Sequence, residues 1–197
     1  MALIKENILT IWQEDTSKLK NKLLSILAKK SYIEGKIILS SGKESNYYVD
    51  GKQTTLDAEG IVLISILFLR LLKEDIKSVG GLTMGADPLS TGVSQISYLL
   101  GKKINAFYVR KESKKHGRSL WIEGPLEKGE RVAILEDVVT TGSSSLKAIE
   151  KVIDFGCKVK QVLAIVDRNE GGRELFKQKG YDYQYLFDIK EVIERVK

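Results

Sequence analysis

A short apolar run, two adjacent acids and a turn of small residues form the segment that most constrains how this chain folds. Residues 131–145 read Arg-Val-Ala-Ile-Leu-Glu-Asp-Val-Val-Thr-Thr-Gly-Ser-Ser-Ser. The apolar residues 132–135 predict a buried strand, Glu136 and Asp137 end it, and a helical pattern starts at Ser143. Because the first N–H groups of a helix lack backbone partners, such a turn can close around a phosphate. The two carboxylates suit the vicinal hydroxyls of a ribose, so the segment predicts a pentose phosphate site.

This turn differs from two other common phosphate-binding patterns. It lacks the Gly-x-x-x-x-Gly-Lys-Ser/Thr loop, because no lysine follows Gly142, and it lacks the Gly-x-Gly-x-x-Gly of a dinucleotide fold. The simpler interpretation is a tight strand-to-helix turn with a serine N-cap. Two acids at the strand end and hydroxyls throughout the turn favour phosphate binding over that interpretation.

Strands and helices alternate along most of the chain. Helical spacing covers residues 3–30, with Thr16 or Ser17 as the predicted cap between two helices, and residues 33–50 predict a hairpin. Further strands are predicted near 78–79, 104–109, 132–135, 162–166 and 183–186, and helices at 57–73, 88–100, 143–155, 172–179 and 189–196. This order predicts an α/β fold with a mostly parallel sheet covered on both faces. We expect one domain over 1–197, with N-terminal helices and hairpin over about 1–55 and a core over about 56–197.

Composition and charge agree with a compact enzyme. The chain has 197 residues and a formal net charge of +6, from 32 lysines and arginines against 26 acids. That excess is compatible with nucleic acid, an anionic membrane surface or an anionic substrate, and its concentration in one loop favours the substrate. Cys157 is the single cysteine, which excludes an intrachain disulfide and fits a reducing cytosol. No targeting segment is visible, and the apolar run 61–72 is too short to span a bilayer.

Loops that follow the predicted strands carry chemically useful residues. Residues 79–88 include adjacent glycines, which let the backbone approach a ligand closely. Residues 108–119 hold six groups that can be cationic: Arg110, Lys111, Lys114, Lys115, His116 and Arg118. Such a loop is either a solvated surface or a mobile lid that neutralises a polyphosphate leaving group. In residues 167–172, Arg168 either pairs with Glu170 at the surface or grips a substrate carboxylate or carbonyl.

Together these segments resemble the orotate phosphoribosyltransferase family, over about residues 31–173. The turn is similar to the phosphoribosyl diphosphate (PRPP) signature that many type I phosphoribosyltransferases share. Four further segments carry the resemblance to the orotate-using members: 40–50 (Ser-Ser-Gly-Lys-Glu-Ser-Asn-Tyr-Tyr-Val-Asp), 80–88 (Gly-Gly-Leu-Thr-Met-Gly-Ala-Asp-Pro), 110–117 (Arg-Lys-Glu-Ser-Lys-Lys-His-Gly) and Asp167-Arg168. Many members have a lysine where Ser40 and Gly85 stand, so those two basic contacts are not expected here.

The resemblance implies a type I phosphoribosyltransferase fold, with a mostly parallel twisted sheet flanked by helices and a small N-terminal hood subdomain. It implies transfer of the 5-phosphoribosyl group from PRPP to N1 of orotate, giving orotidine 5′-monophosphate and diphosphate in de novo pyrimidine biosynthesis. Mg²⁺ is the implied cofactor, bound through PRPP and water with no direct protein ligand. The implied partners are the two small-molecule substrates, with no nucleic acid and no membrane. A cytoplasmic homodimer is implied, in which the basic loop reaches into the partner's site.

The resemblance also implies a role for each candidate residue. Glu136 and Asp137 would hold the ribose hydroxyls and place negative charge near the developing oxocarbenium ion. The turn that would hold the 5′-phosphate consists of Val138, Val139, Thr140, Thr141, Gly142, Ser143 and Ser144. The diphosphate would contact Arg110, Lys111, Lys114 and His116, and the residues assigned to catalysis are Lys111, Lys114, His116 and Asp137. Orotate would be oriented by Thr140 and Arg168.

Three alternatives stay open at this level. A purine-type phosphoribosyltransferase needs only the shared turn, but it leaves Arg168 and the basic loop unexplained. A PRPP-sensing regulator that binds nucleic acid is compatible with a pI of ≈ 9.2, although such a protein is expected to carry an extended charged face or an added winged-helix module. A non-catalytic anion-binding module is the third.

Overall fold

The computed structural model describes residues 2–38, 44–112 and 121–197. Its elements are, in chain order, α1 (Ala2–Gln13), α2 (Thr16–Lys30), β1 (Tyr32–Ile38), β2 (Glu44–Val49), α3 (Lys52–Thr55), α4 (Ala58–Leu71), β3 (Ser78–Leu82), α5 (Ala86–Leu99), β4 (Asn105–Val109), β5 (Ile122–Glu123), β6 (Arg131–Val139), α6 (Ser143–Phe155), β7 (Lys158–Asp167), α7 (Gly172–Gln178), β8 (Asp182–Asp188) and α8 (Ile189–Val196). The alternation of strands and helices follows the order predicted from the sequence.

The central sheet has six strands in the order β5-β4-β3-β6-β7-β8. All neighbours run parallel except the edge strand β5, which is antiparallel to β4. The prediction of a mostly parallel sheet is therefore confirmed. β1 and β2 form a separate antiparallel pair, as expected for the hairpin. Because β3, β6 and β7 are neighbours and parallel, the loops after them meet at one edge of the sheet.

Helices cover both faces of this sheet, and β6 contributes to the core on each side. Its residues Val132, Ala133, Ile134 and Leu135 are fully buried, which is typical of a parallel strand shielded on two faces. Ala133 and Leu135 pack in a core shared with α2, α4, α5 and α8. Val132 and Ile134 pack in a second core with α6 and α7. The apolar run that predicted a strand is thus the centre of the molecule.

The strand prediction ended too early. β6 continues through Val139 rather than stopping at Leu135, because its last residues pair with β7 as Val138↔Val166 and Val139↔Asp167. Glu136 and Asp137 therefore lie within the strand, past the point where β3 stops pairing with it. The acids lie at the carboxyl edge of the sheet, as predicted. Because their backbone is part of the strand paired with β7, the strand fixes the direction of their side chains.

The predicted cap of α2 was also wrong. Asp15 precedes the helix, and its carboxylate accepts hydrogen bonds from the N–H groups of Ser17 and Lys18, a stronger N-cap than Thr16 would provide. The short elements α3 and β5 were not predicted, because four residues and two residues carry no recognisable period. In the part of the chain that the structure describes, no helix combines the length and apolarity needed to cross a bilayer. The division into hood and core stays a prediction.

Candidate functional site

The two acids of β6 are the centre of the candidate site. Glu136 is 7% exposed, and Ser145 Oγ in α6 donates a hydrogen bond of 3.0 Å to its Oε2. Burial, together with the neighbouring charge of Asp137, raises the pKa of the Glu136 carboxyl to about 8. Burial also raises the pKa of the Asp137 carboxyl. The hydrogen bond from the N–H of Val138 and the positive charge of Lys52 lower this pKa, but burial outweighs them. Strong perturbation of two adjacent acids is typical of a functional site.

Two glycine segments touch the carboxylate of Asp137. A Cβ added to Gly51 would lie 2.7 Å from Asp137 Oδ2, and one added to Gly85 would lie 2.8 Å from Oδ1. Gly85 belongs to the turn after β3, where the sequence predicted close backbone approach, and the Thr83–Met84 peptide in this turn is cis. Gly51 follows β2 and was not predicted as part of the site. In the sequence, the only indication of this contact was the pair Gly51-Lys52 directly after the predicted hairpin.

The small-residue turn runs into α6 as predicted. Gly142 is the N-cap residue with φ 80°, and no side chain caps the helix. The serine cap of the simpler interpretation is therefore not what the structure has. Thr141 Oγ1 and Ser143 Oγ are hydrogen-bonded to each other at 2.8 Å on the exposed side of the turn. The first N–H groups of α6 and these hydroxyls thus form a set of donors beside the acids, suited to a phosphate.

The basic loop is only partly within the described residues. Arg110 Nη1 lies 3.1 Å from Glu123 Oε1 in the edge strand, and Lys111 is exposed. Lys114 and His116, to which the sequence assigned the leaving diphosphate, lie outside the described residues. The lid interpretation of this loop therefore stays a prediction.

Arg168 is buried at the end of β7 rather than at the surface. Its side chain is 3% exposed, and its Nε lies 2.9 Å from Glu170 Oε1. The ion pair with Glu170 was one of the two alternatives left open by the sequence; that alternative placed the pair at the surface, whereas β2 covers the guanidinium. Nη2 donates to Ser45 Oγ at 3.3 Å, and the group lies 4.8 Å from the centre of the Tyr47 ring. A planar cation held from several sides is suited to a carboxylate or carbonyl ligand.

Thr140 lies beside Arg168 at the same edge. The N–H of Arg168 donates to the carbonyl of Val139 at 2.9 Å, and the N–H of Gly172 donates to the carbonyl of Thr140 at 3.1 Å. The ends of β6 and β7 are therefore tied together by backbone hydrogen bonds. The structure brings the two predicted orotate-binding residues to one place, at the small-residue turn.

The described residues contain no group of three His, Cys, Asp or Glu side chains that could hold a metal ion. The two acids of β6 could still contribute oxygen contacts to an ion that is mainly held by a phosphorylated ligand. Mg²⁺ tolerates this arrangement, because it keeps several waters and prefers phosphate oxygens with one or two carboxylates.

Fold and site together define a class of protein. The mostly parallel sheet, with a buried and a half-buried acid on its central strand and an uncapped helix after it, has the type I phosphoribosyltransferase fold. The adenine phosphoribosyltransferase of Leishmania tarentolae is similar to this chain in fold, with a TM-score of 0.60 at 16% identity over 88% of this chain and 90% of that one. That similarity shows the fold alone.

More similar proteins identify the family. The structure of Mycobacterium tuberculosis H37Rv orotate phosphoribosyltransferase in complex with PRPP has a TM-score of 0.75 and is 35% identical, covering 88% of this chain and 98% of that one. The orotate phosphoribosyltransferase of Nostoc sp. is 43% identical over 182 residues, 92% of this chain and 88% of the relative. The orotate phosphoribosyltransferase of Aquifex aeolicus is 49% identical over 156 residues, which cover 79% of this chain and 85% of the relative. No protein-family model matches the chain. The chain belongs to the orotate phosphoribosyltransferase family.

Proposed function

We propose that this chain, as a member of the orotate phosphoribosyltransferase family, transfers the 5-phosphoribosyl group of PRPP to N1 of orotate in pyrimidine biosynthesis. The bond from ribose C1′ to the diphosphate oxygen breaks, and its electron pair leaves with diphosphate. The bond from C1′ to N1 forms, and the N1 proton is released. The observation that carries this proposal is the family membership over 92% of the chain, and it is supported by the two adjacent acids, Glu136 and Asp137, beside the small-residue turn.

Glu136 and Asp137 are proposed to hold the ribose hydroxyls. Both acids lie on one paired strand, so their spacing is fixed before the ligand arrives. Hydroxyl donors would favour the ionised carboxylates, which burial alone disfavours. As the C1′–O bond lengthens, positive charge grows on the ribose, and Asp137 would stabilise it electrostatically.

The 5′-phosphate is proposed to bind at the turn of residues 138–144. The N terminus of α6 has no side-chain cap, so its N–H groups are suited to a dianion. Thr141 and Ser143 add hydroxyl donors at the rim. This part of the site would anchor PRPP and the nucleotide product alike, since both carry the 5′-phosphate.

The basic loop is proposed to stabilise the leaving diphosphate. Arg110 and Lys111 follow β4, which is next to β3 in the sheet, so their positions suit an anion at the carboxyl edge. Lys114 and His116 are proposed to take part in the same task. Mg²⁺ would neutralise charge on the diphosphate when it is bound, held by PRPP oxygens and water, with Glu136 and Asp137 nearby.

Orotate is proposed to bind between Thr140 and Arg168. Among the described residues, Glu170 engages Nε and Ser45 accepts from Nη2, so Nη1 and the second N–H of Nη2 are the donors proposed for a ligand. The substrate carboxylate would take the place of the Ser45 hydroxyl at Nη2. A fixed fork of donors then favours orotate over uracil, which lacks the carboxylate. The family membership likewise favours orotate over a purine base.

We also propose a cytoplasmic homodimer with shared sites, whose partners are small molecules rather than nucleic acid or membrane. An open cleft of about 390 Å³ between α4 and α5 is lined by apolar side chains that include Leu56, Ile61 and Pro88. Leu56 is 73% exposed, so the cleft has an apolar side chain at its rim that faces solvent. A second copy of the chain covering this face would bury it.

Subunit mixing tests the shared sites. Alone, the Lys114→Ala and Asp137→Asn proteins should each retain only a small residual activity. If the loop acts in the partner's site, unfolding and refolding an equal mixture should restore about a quarter of wild-type activity, because half of the dimers then contain one intact site. No recovery from a correctly dimeric mixture would show that each loop serves its own subunit.

The transfer itself is tested by the loss of orotate absorbance on addition of PRPP and Mg²⁺. We expect turnover that needs all three components and stops when a chelator removes Mg²⁺. A protein that is folded by circular dichroism and leaves orotate unchanged under these conditions would contradict the proposed function.

A further inference from the structure

Lys52 is a cation beside the acid pair that has no role in the site as described so far. It opens α3 directly after Gly51, whose backbone packs against Asp137 so closely that an added Cβ would lie 2.7 Å from Oδ2. The segment 50–52 is therefore held against the carboxyl edge of β6, although it comes from the hairpin at the other end of the sequence.

Asp50 fixes the charge of Lys52 at this place. Lys52 Nζ lies 2.7 Å from Asp50 Oδ1, and the same oxygen accepts a hydrogen bond of 3.3 Å from the Lys52 backbone N–H. The hydrogen bond to Asp50 raises the pKa of the Lys52 ammonium, with smaller contributions from the charges of Asp50 and Asp137. Lys52 is therefore fully charged at neutral pH, and its charge acts on the Asp137 carboxyl.

The ammonium remains available to a ligand. The Lys52 side chain is 39% exposed in this ion pair, and an ammonium has three donors, of which Asp50 engages one. Isolated ion pairs with this exposure contribute little to stability. Stability therefore does not explain why a lysine stands next to the acids.

A charge is needed at this place because two carboxylates repel a diphosphate. The turn after β3 also touches Asp137, through Gly85, but its residues 83–87 read Thr-Met-Gly-Ala-Asp and include no cation. A diphosphate attached to a ribose at Asp137 would lie between this turn and segment 50–52. Charge-assisted donors are the effective way to stabilise such an anion.

We propose that Lys52 binds the diphosphate group of PRPP and supplies the positive charge that the turn after β3 lacks. This inference rests on the proposed function, since it assumes that PRPP binds at the acid pair. It differs from the role of the basic loop, because Lys52 belongs to a segment packed against Asp137.

The test compares the neutral variant Lys52→Met with Lys52→Arg and with the matched control Lys73→Met. Lys73 makes an ion pair of the same length, 2.7 Å to Asp182, with a side chain 48% exposed, but it lies at the amino edge of the sheet. Calorimetry would measure the binding of diphosphate with Mg²⁺ and of orotidine 5′-monophosphate, which lacks diphosphate. Kinetics would give kcat/KM for PRPP.

We expect Lys52→Met to lower diphosphate affinity and kcat/KM for PRPP by roughly 10- to 100-fold. Its affinity for orotidine 5′-monophosphate should fall clearly less, because this nucleotide has no diphosphate and is affected by Lys52 only through the carboxyl of Asp137. Lys52→Arg should retain most of the function, and Lys73→Met should match wild type.

The proposal would be overturned if Lys52→Met bound diphosphate as tightly as Lys73→Met does. It would also be overturned if Lys52→Met weakened the binding of diphosphate and of the nucleotide equally, because that result indicates a structural role. If Lys52→Met fails to fold, Lys52→Gln gives the same comparison with a polar side chain. A wild-type protein without turnover on orotate would contradict the proposed function, while diphosphate binding would still decide the role of Lys52.

Discussion

Replacing Glu136 by glutamine should make the ligand-free protein more stable at neutral pH and less able to use PRPP. Burial raises the pKa of this carboxyl from an ordinary value of 4.5 to about 8. Between pH 4.5 and about 8, the Glu136 carboxyl keeps its proton in the folded state and loses it in the unfolded state. The free energy of unfolding therefore falls as the pH rises through this range. Below pH 4.5 both states are protonated and the penalty is absent. Glutamine keeps the shape and can accept the same hydrogen bond from Ser145, but it does not titrate.

The size of the effect follows from these values. At about 1.4 kcal/mol per pH unit, the penalty at pH 7 is on the order of 3 kcal/mol. For a chain of this length, Glu136→Gln should therefore raise the melting temperature at pH 7 by roughly 6–12 °C. Urea unfolding at pH 5 and pH 8 is the assay, and Glu150→Gln, an exposed residue of α6, is the control. If the difference in free energy of unfolding between Glu136→Gln and wild type were the same at pH 5 and pH 8, Glu136 would not have the raised pKa.

Three substitutions test the remaining assignments. Lys114→Ala should lower turnover about 100-fold or more with an unchanged melting temperature, because it removes one electrostatic contact to the leaving group; normal turnover would contradict the lid. Asp137→Asn should impair the use of PRPP while the fold persists, since amide and carboxylate have nearly the same shape, and a lower melting temperature with normal kinetics per folded molecule would indicate a structural role instead. Arg168→Lys should raise KM for orotate much more than KM for PRPP, because an ammonium cannot reproduce a bidentate contact; unchanged orotate kinetics would remove Arg168 from the base site.

The centre of the fold could be predicted from sequence because its signals are local. The apolar run of β6, the acids after it and the small-residue turn lie within fifteen consecutive residues, and each follows from the chemistry of its own side chains. The true end of β6 could not be predicted in this way. Val138 and Val139 remain in the strand because β7 pairs with them, and that pairing depends on residues far along the chain.

The parts of the site that were missed are contacts between distant segments. Lys52 is an unremarkable lysine in the sequence, and only the packing of Gly51 on Asp137 gives it a place beside the acids. The sequence left open whether Arg168 pairs with Glu170 or binds a substrate, and its burial depends on Ser45 and Tyr47 from the hairpin. Local patterns carry no information on which loop covers which strand end.

The release of diphosphate from PRPP, measured in the presence of one base at a time, shows whether this chain uses orotate as its base. Orotate, uracil, adenine and hypoxanthine would each be supplied with Mg²⁺ at the same concentration, and kcat/KM would be compared. The proposed site predicts rapid release with orotate and little or none with the other three bases, because only orotate carries a carboxylate for Arg168. Preferential release with any of the other bases, or equal release with all four, would contradict it.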